Sequence, residues 1–251
     1  MSFAAVADSP SIGERYRALH NRRALTWWST VFGYPIARFL LIWIVPVRWI
    51  TPTRLTLIGF VVKLAAAAAL LGATSPRGLI AAIALLQVSQ VLDSMDGTLA
   101  RARGQSSATG AYLDKLTDAV GLFAICAVVG VRAAAGGAGA VYPLLACAGA
   151  FACDLACYMY WVTRAVAPAA APAARLDGGA PVLGWPAIRR EWLRGWLKLP
   201  LFLEADLYLW IGVFAWFDAW RALCVVLAAT QAAALVVVVT DHLIRLSRRP
   251  S

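Results

Sequence analysis

Residues 93–118 read D-S-M-D-G-T-L-A-R-A-R-G-Q-S-S-A-T-G-A-Y-L-D-K-L-T-D, with aspartates at Asp93, Asp96, Asp114 and Asp118. The chain around this stretch is strongly apolar. Of its 251 residues, 61% are hydrophobic and 14% charged, against roughly 25% charged in soluble domains. That composition belongs to an integral membrane protein. A carboxylate at the centre of a membrane helix costs roughly 2.5–3.5 kcal/mol on insertion scales, so four of them close together need cationic compensation. Asp93, Asp96, Gly97, Ala100 and Arg101 recur at i, i+3, i+4, i+7 and i+8, one stripe of an α-helix. Ser107, Gly110, Asp114 and Asp118 make a second stripe. Two such stripes face to face gather the carboxylates around one divalent cation or a pair, and hard ions such as Mg²⁺ prefer oxygen ligands of this kind.

The hydrophobic pattern on either side predicts six spans, each near the ~20 residues a bilayer needs. They run over about 53–73, 79–102, 107–131, 141–166, 199–220 and 222–246. Pro168, Pro172, Pro181 and Pro186, with Gly178, Gly179 and Gly184, mark a loop over 167–198. Within it Arg189, Arg190, Arg194 and Lys198 alternate with Trp192 and Trp196, an interfacial amphipathic pattern. Residues 1–50 read as a cytoplasmic or interfacial amphipathic segment, because Trp27, Trp28, Phe39 and Trp43 mix with Arg22, Arg23, Arg38 and Arg48. Residues 51–251 form one membrane domain. The fold expected is all-α: six transmembrane helices preceded by an N-terminal interfacial amphipathic helix.

The net charge is +10. Its cations flank apolar segments, which argues for membrane lipid and against nucleic acid as the partner. Arginine and lysine concentrate in the N-terminal region, the 102–106 turn, the 167–198 loop and the C-terminal tail. The positive-inside rule then puts both termini and the aspartate ends of the spans in the cytoplasm of an inner-membrane protein. Cys126, Cys147, Cys153, Cys157 and Cys224 sit in apolar runs and read as small buried hydrophobes. Lys63 and Asp154 lie at matching membrane depth, which reads as an ion pair; the alternative is that one of them meets a substrate. Glu204, Asp206 and Asp241 read as rim groups. Lys115 either balances the acids or faces lipid headgroups.

The pattern D-x2-D-G-x2-A-R-x8-G-x3-D-x3-D, carried by Asp93, Asp96, Gly97, Ala100, Arg101, Gly110, Asp114 and Asp118, resembles the signature of the CDP-alcohol phosphotransferase family at every fixed position and gap. The resemblance implies a membrane phosphotransferase of phospholipid biosynthesis. It would move a substituted phosphate from CDP-diacylglycerol or another CDP-alcohol to an alcohol acceptor and release CMP. It implies Mg²⁺ or Mn²⁺, two ions, and a homodimer. Asp93 and Asp114 would touch both metals and Asp96 one. Asp118 would be the base, and it too would touch metal. Gly97, Arg101, Ser107 and Gly110 would meet the CDP-alcohol. Thr51-Pro52-Thr53-Arg54-Leu55-Thr56 resembles the family's T-P-N-x-x-T loop, which gives Thr53 and Thr56 the same role, with Thr53 standing where Asn is usual. Arg164, Arg189, Arg190, Arg194 and Lys198 are the candidate contacts to an anionic acceptor, since the acids already claim the metals. Two other classes compete. A membrane prenyltransferase expects two N-D-x-x-D-like clusters, which Asp93-Ser94-Met95-Asp96 does not supply. A cation-binding or transport protein would use intramembrane acids but leaves Gly97, Arg101 and Gly110 at their spacing unexplained.

Overall fold

Thr51, Ser75 and Ser107 stand where polar turns give way to long apolar runs, and each side chain can accept a hydrogen bond from a helix start. In the computed structural model they cap three helices, accepting from the amides of Arg54 at 3.3 Å, Gly78 at 3.2 Å and Gly110 at 3.0 Å. Pro52 and Pro76 occupy first-turn positions, where the missing N–H costs nothing. The structure describes residues 11–20, 26–135, 137, 139–166, 184–196 and 204–247. In chain order the helices are α1 (Ile12–Ala18), α2 (Tyr34–Ile44, entered through a π-helical run at Ser29–Gly33), α3 (Pro52–Gly72), α4 (Pro76–Arg103), α5 (Ala108–Ala134), α6 (Val141–Val166), α7 (Trp185–Trp196), α8 (Glu204–Trp216) and α9 (Trp220–Ser247). The described residues contain no strand.

Five of these helices are long and apolar enough to cross a bilayer: α3, α4, α5, α6 over Val141–Met159, and α9 over Trp220–Ile244. The expected span at 199–220 is represented by α8, whose 13 residues reach about 20 Å at 1.5 Å per residue, short of the ~30 Å hydrocarbon core. Residues 197–203 lie outside the described set. Large apolar side chains such as Val61, Val88, Phe123, Phe151 and Val237 are exposed along the spans, a surface that lipid covers.

Small residues let the spans approach closely, as membrane helices require. A Cβ on Gly130 of α5 would stand 2.6 Å from Pro143 Cα of α6, and one on Gly149 of α6 would stand 3.2 Å from the Leu227 backbone of α9. One apolar core joins α3, α4, α5, α6, α8 and α9 through Leu70, Leu86, Ile125, Ala146, Ile211 and Leu227. A second joins the N-terminal region to the ends of α3 and α4 through Leu41, Leu55, Met95 and Leu99. On α2, Ala37, Arg38, Leu41 and Ile42 are buried while Phe39, Leu40 and Trp43 are exposed.

Several charges have structural partners that the linear sequence does not display. Asp206, read as a rim group, is 1% exposed and accepts the Trp28 amide at 2.7 Å. The Trp28 indole donates to Gln87 of α4 at 2.7 Å, and Gln87 donates to the Tyr208 carbonyl of α8 at 3.2 Å. Arg132 donates to the Ala73 carbonyl at 2.8 Å and Arg221 to the Ala133 carbonyl at 3.3 Å, closing the ends of α3 and α5.

Arg103 ends α4 beside Gly104, whose φ of 65° makes a left-handed cap. The Arg103 guanidinium donates to the carbonyls of Ile44, Val45, Val47 and Ile50, at distances from 2.6 to 3.3 Å. It thereby ties down the turn that leads into Thr51 and α3. Arg103→Ala leaves those carbonyls without their donor, and at about 1 kcal/mol net per hydrogen bond, discounted for partial exposure, should destabilise the protein by about 2 kcal/mol. Arg103→Lys should rescue little, because one ammonium cannot span the fork. Thermal unfolding of the purified protein in detergent measures both, and an unchanged midpoint in Arg103→Ala would remove this role.

Candidate metal and phosphate site

Helix α3 packs against both α4 and α5, and acids from the α4 and α5 stripes converge beside it. Oxygen atoms of Asp93, Asp114 and Asp118 all lie within 4.8 Å of one another. Asp96, one turn along from Asp93, is 4% exposed. Its Oδ2 accepts from the Thr56 hydroxyl at 2.5 Å, and its Oδ1 accepts from the Gly97 amide. The periodicity of the two stripes therefore converts into a three-carboxylate cluster, with the fourth acid held alongside by α3.

Two lysines enter the cluster. Lys63 of α3 is 3% exposed, and its Nζ donates to Asp118 Oδ1 at 3.0 Å. The partner expected for it was Asp154; the interhelical register brings it Asp118 instead. Lys115 donates to Asp118 Oδ2 at 2.9 Å and lies 3.3 Å from Asp114 Oδ2. Of its two readings, the balancing one holds. Four carboxylates thus meet two ammonium groups, an excess of negative charge in a low-dielectric setting. The donor set is all carboxylate oxygen. Both properties suit a hard divalent cation, and Asp93, Asp114 and Asp118 are the residues placed to hold one.

Arg101 points back along α4: a Cβ on Gly97 would stand 3.0 Å from its Nη1, and its Nη2 donates to Thr98 at 3.4 Å. Gly97 therefore makes room for the guanidinium as well as leaving the helix face bare. Ser107 spends its oxygen on the α5 cap, and a Cβ on Gly110 would stand 3.1 Å from that oxygen. The Ser107 O–H stays available to donate. Thr56 is buried against Asp96, whereas Thr53, one turn earlier, is exposed. Arg189, Arg190 and Arg194 are exposed on α7, which packs against the Ser29–Gly33 run. Among the described residues none of the three forms an ion pair with the cluster. Arg164 lies in the last turn of α6. Lys198 falls outside the described residues.

Two groups escaped sequence reasoning at the site. Gly121, one turn beyond Asp118, faces Lys63; its place on the Asp114–Asp118 stripe was the available signal. Gly59 of α3 faces α4, where a Cβ would stand 3.3 Å from Leu92 Cβ and 3.8 Å from the Asp93 amide. It sets the close approach that carries Thr56 and Lys63 to the acids.

Spans, stripes and cluster together define a multi-pass helical membrane protein with a carboxylate site between neighbouring helices. More narrowly, the chain belongs to the CDP-alcohol phosphatidyltransferase family, whose model matches residues 49–239. No individual curated protein matches it. Membership makes it a transferase of the CDP-alcohol phosphotransferase kind, in a family that serves phospholipid synthesis, acts in membranes on a CDP-alcohol and an alcohol acceptor, and uses divalent metal. The matched range takes in all four aspartates.

Proposed function

We propose that this protein transfers a phosphatidyl group from CDP-diacylglycerol to an alcohol acceptor, releasing CMP. The observation that carries this reading is the convergence of Asp93, Asp114 and Asp118 within 4.8 Å on helices that bear the full family motif. Asp93, Asp96, Asp114 and Asp118 would hold two divalent ions, Mg²⁺ or Mn²⁺. When bound, the ions neutralise the diphosphate and stabilise the leaving phosphate. The acceptor oxygen forms a bond to the β-phosphorus. The bond from that phosphorus to the bridging oxygen breaks, and the electron pair leaves with CMP. Asp118 takes the acceptor proton. Thr53, Thr56, Gly97, Ser107 and Gly110 line the path of the CDP group.

Arg101 holds a donor phosphate, supported by its position over Gly97, one turn further along the stripe that carries Asp93 and Asp96. A planar fork is needed to bind phosphate bidentately. Arg101→Lys should therefore weaken donor binding by about tenfold, read as donor KM; a variant with unchanged donor affinity would take Arg101 out of the site.

The orientation is cytoplasmic for both termini and the site, in an inner membrane, supported by the arginine distribution. The protein works as a homodimer with six spans, the segment around α8 completing the count. The exposed Phe39, Leu40 and Trp43 face of α2 supports an interfacial N-terminal segment. The acceptor is anionic, with Arg164, Arg189, Arg190, Arg194 and Lys198 as its cationic contacts. Substituting at least one of them by Ala should raise acceptor KM about tenfold or more and spare donor affinity. Unchanged acceptor KM across all five, or an uncharged accepted alcohol, would end that reading.

The deciding assay incubates the purified protein with CDP-diacylglycerol, a panel of alcohols and Mg²⁺ or Mn²⁺, reading CMP release and lipid products by mass. Metal-dependent CMP release with a new phospholipid is expected. Release with only a soluble CDP-alcohol would move the donor assignment, and no CMP from any donor would favour a cation-binding or transport role.

A further inference from the structure

Lys63 reaches Asp118 by an unusual route. Its side chain crosses α5 directly over Gly121, where an added Cβ would stand 2.3 Å from Lys63 Cδ and 3.1 Å from Cγ. No other residue type leaves that slot open. The ammonium ends 3.0 Å from Asp118 Oδ1 and 5.7 Å from the centre of the Tyr208 ring of α8, and the side chain is 4% exposed. Lys115 approaches the same carboxylate from the other edge, 2.9 Å from Oδ2, with its side chain 42% exposed. The two oxygens of Asp118 are therefore held differently. One is gripped from inside by a cation walled in by α5 and α8. The other meets a lysine that is itself largely open to its surroundings.

We propose that Lys63, seated over Gly121, is a positioning residue for Asp118. It clamps Oδ1 and so presents Oδ2 to the Asp114 side, where an incoming hydroxyl gives up its proton. The inference rests on the reading of Asp118 as the base. A burial role alone would not require a glycine opposite an aliphatic stem, nor an ammonium aimed at that particular carboxylate. The cation also stands beside the metal-binding acids, so it opposes divalent ions while ordering the base. Removing it should move turnover and metal affinity in opposite directions.

Lys63→Met fits the same slot without the charge. Its kcat should fall by about thirtyfold, less than the ~10²–10⁴-fold that proton transfer by a positioned group itself contributes because the base remains, while donor KM stays within about twofold. Its affinity for Mn²⁺, followed by the electron paramagnetic resonance of the free ion, should rise by about tenfold, because a like charge has been removed from the site. Gly121→Ala keeps the lysine but closes the slot, and should also lower kcat. The double variant should lose no more than Lys63→Met alone, since both changes act through one contact. A Lys63→Met protein with wild-type kcat overturns the proposal. So does one that loses turnover and Mn²⁺ affinity together, as a merely structural lesion would, and so do losses that multiply in the double variant. A wild-type protein that binds Mn²⁺ and releases CMP, with an indifferent Lys63→Met, sinks this inference alone. A wild-type protein that does neither sinks the phosphotransferase reading and this inference with it.

Discussion

Asp93→Asn and Asp114→Asn should each cut CMP release by about a thousandfold or more and weaken Mn²⁺ binding in the same proteins. Both carboxylates belong to the cluster whose oxygens lie within 4.8 Å of one another, and an amide offers a neutral oxygen where a cation needs charge. Several kcal/mol of charge stabilisation come from a bound metal in such reactions, and each 1.36 kcal/mol is about tenfold in rate. Asp96→Asn should behave alike in kind. Its carboxylate also takes the Thr56 hydroxyl and the Gly97 amide, so this variant should additionally loosen the α3–α4 contact. If two of the three variants kept near-normal turnover, the metal assignment would be wrong.

Asp118→Asn should lower kcat by about a hundredfold or more, within the range of general-base contributions, and leave donor KM little changed. The expectation follows from its place one turn beyond Asp114, with Oδ2 meeting the half-exposed Lys115. There is a structural confound. The substitution strands Lys63 as a buried ammonium facing a neutral amide, and breaking a buried pair on one side costs about 3–5 kcal/mol. The comparison is therefore best made in the Asp118→Asn, Lys63→Met double variant, where no charge is stranded. Turnover should remain low there while thermal stability returns. An equal loss of donor affinity and rate in the double variant would make Asp118 a plain metal ligand.

Asp118 also shows why some of the site could be read before the fold was known and some could not. Its membership of a stripe with Asp114 is a matter of helical period, and period is local. The same holds for Asp93 with Asp96, for the apolar runs that became α3, α4, α5, α6 and α9, and for the caps at Thr51, Ser75 and Ser107. The motif positions needed no tertiary information either, because their spacing is itself the signal. The partner of Lys63 was a different kind of question. Matching depth along the membrane pointed to Asp154, and depth is all that a sequence of apolar runs supplies. Which helix faces which, and at what rotation, is decided by close packing at Gly59 and Gly121, where the absence of a Cβ lets one helix or one aliphatic stem slide across another.

The same distinction covers the remaining differences. Asp206 read as a rim group because it opens an apolar run; it is buried because Trp28, far away in sequence, supplies an N–H. Arg132 and Arg221 stand at the edges of apolar runs; they close the ends of neighbouring helices by donating to carbonyls that only the packed bundle puts within reach. Arg103 read as the basic charge of the 102–106 turn; it gains a structural role because α2 ends beside it. The span expected at 199–220 appears as the short α8, since hydropathy reports how apolar a segment is and not where the backbone starts its helix. By itself, then, the sequence determined the class of protein, its long spans and the acids that meet at their ends, because helical periodicity and hydropathy are properties of neighbours along the chain. Only the tertiary structure decided which cation neutralises which acid and which helix end each arginine closes, because those pairings depend on interhelical register and on the few ångströms a missing Cβ makes available.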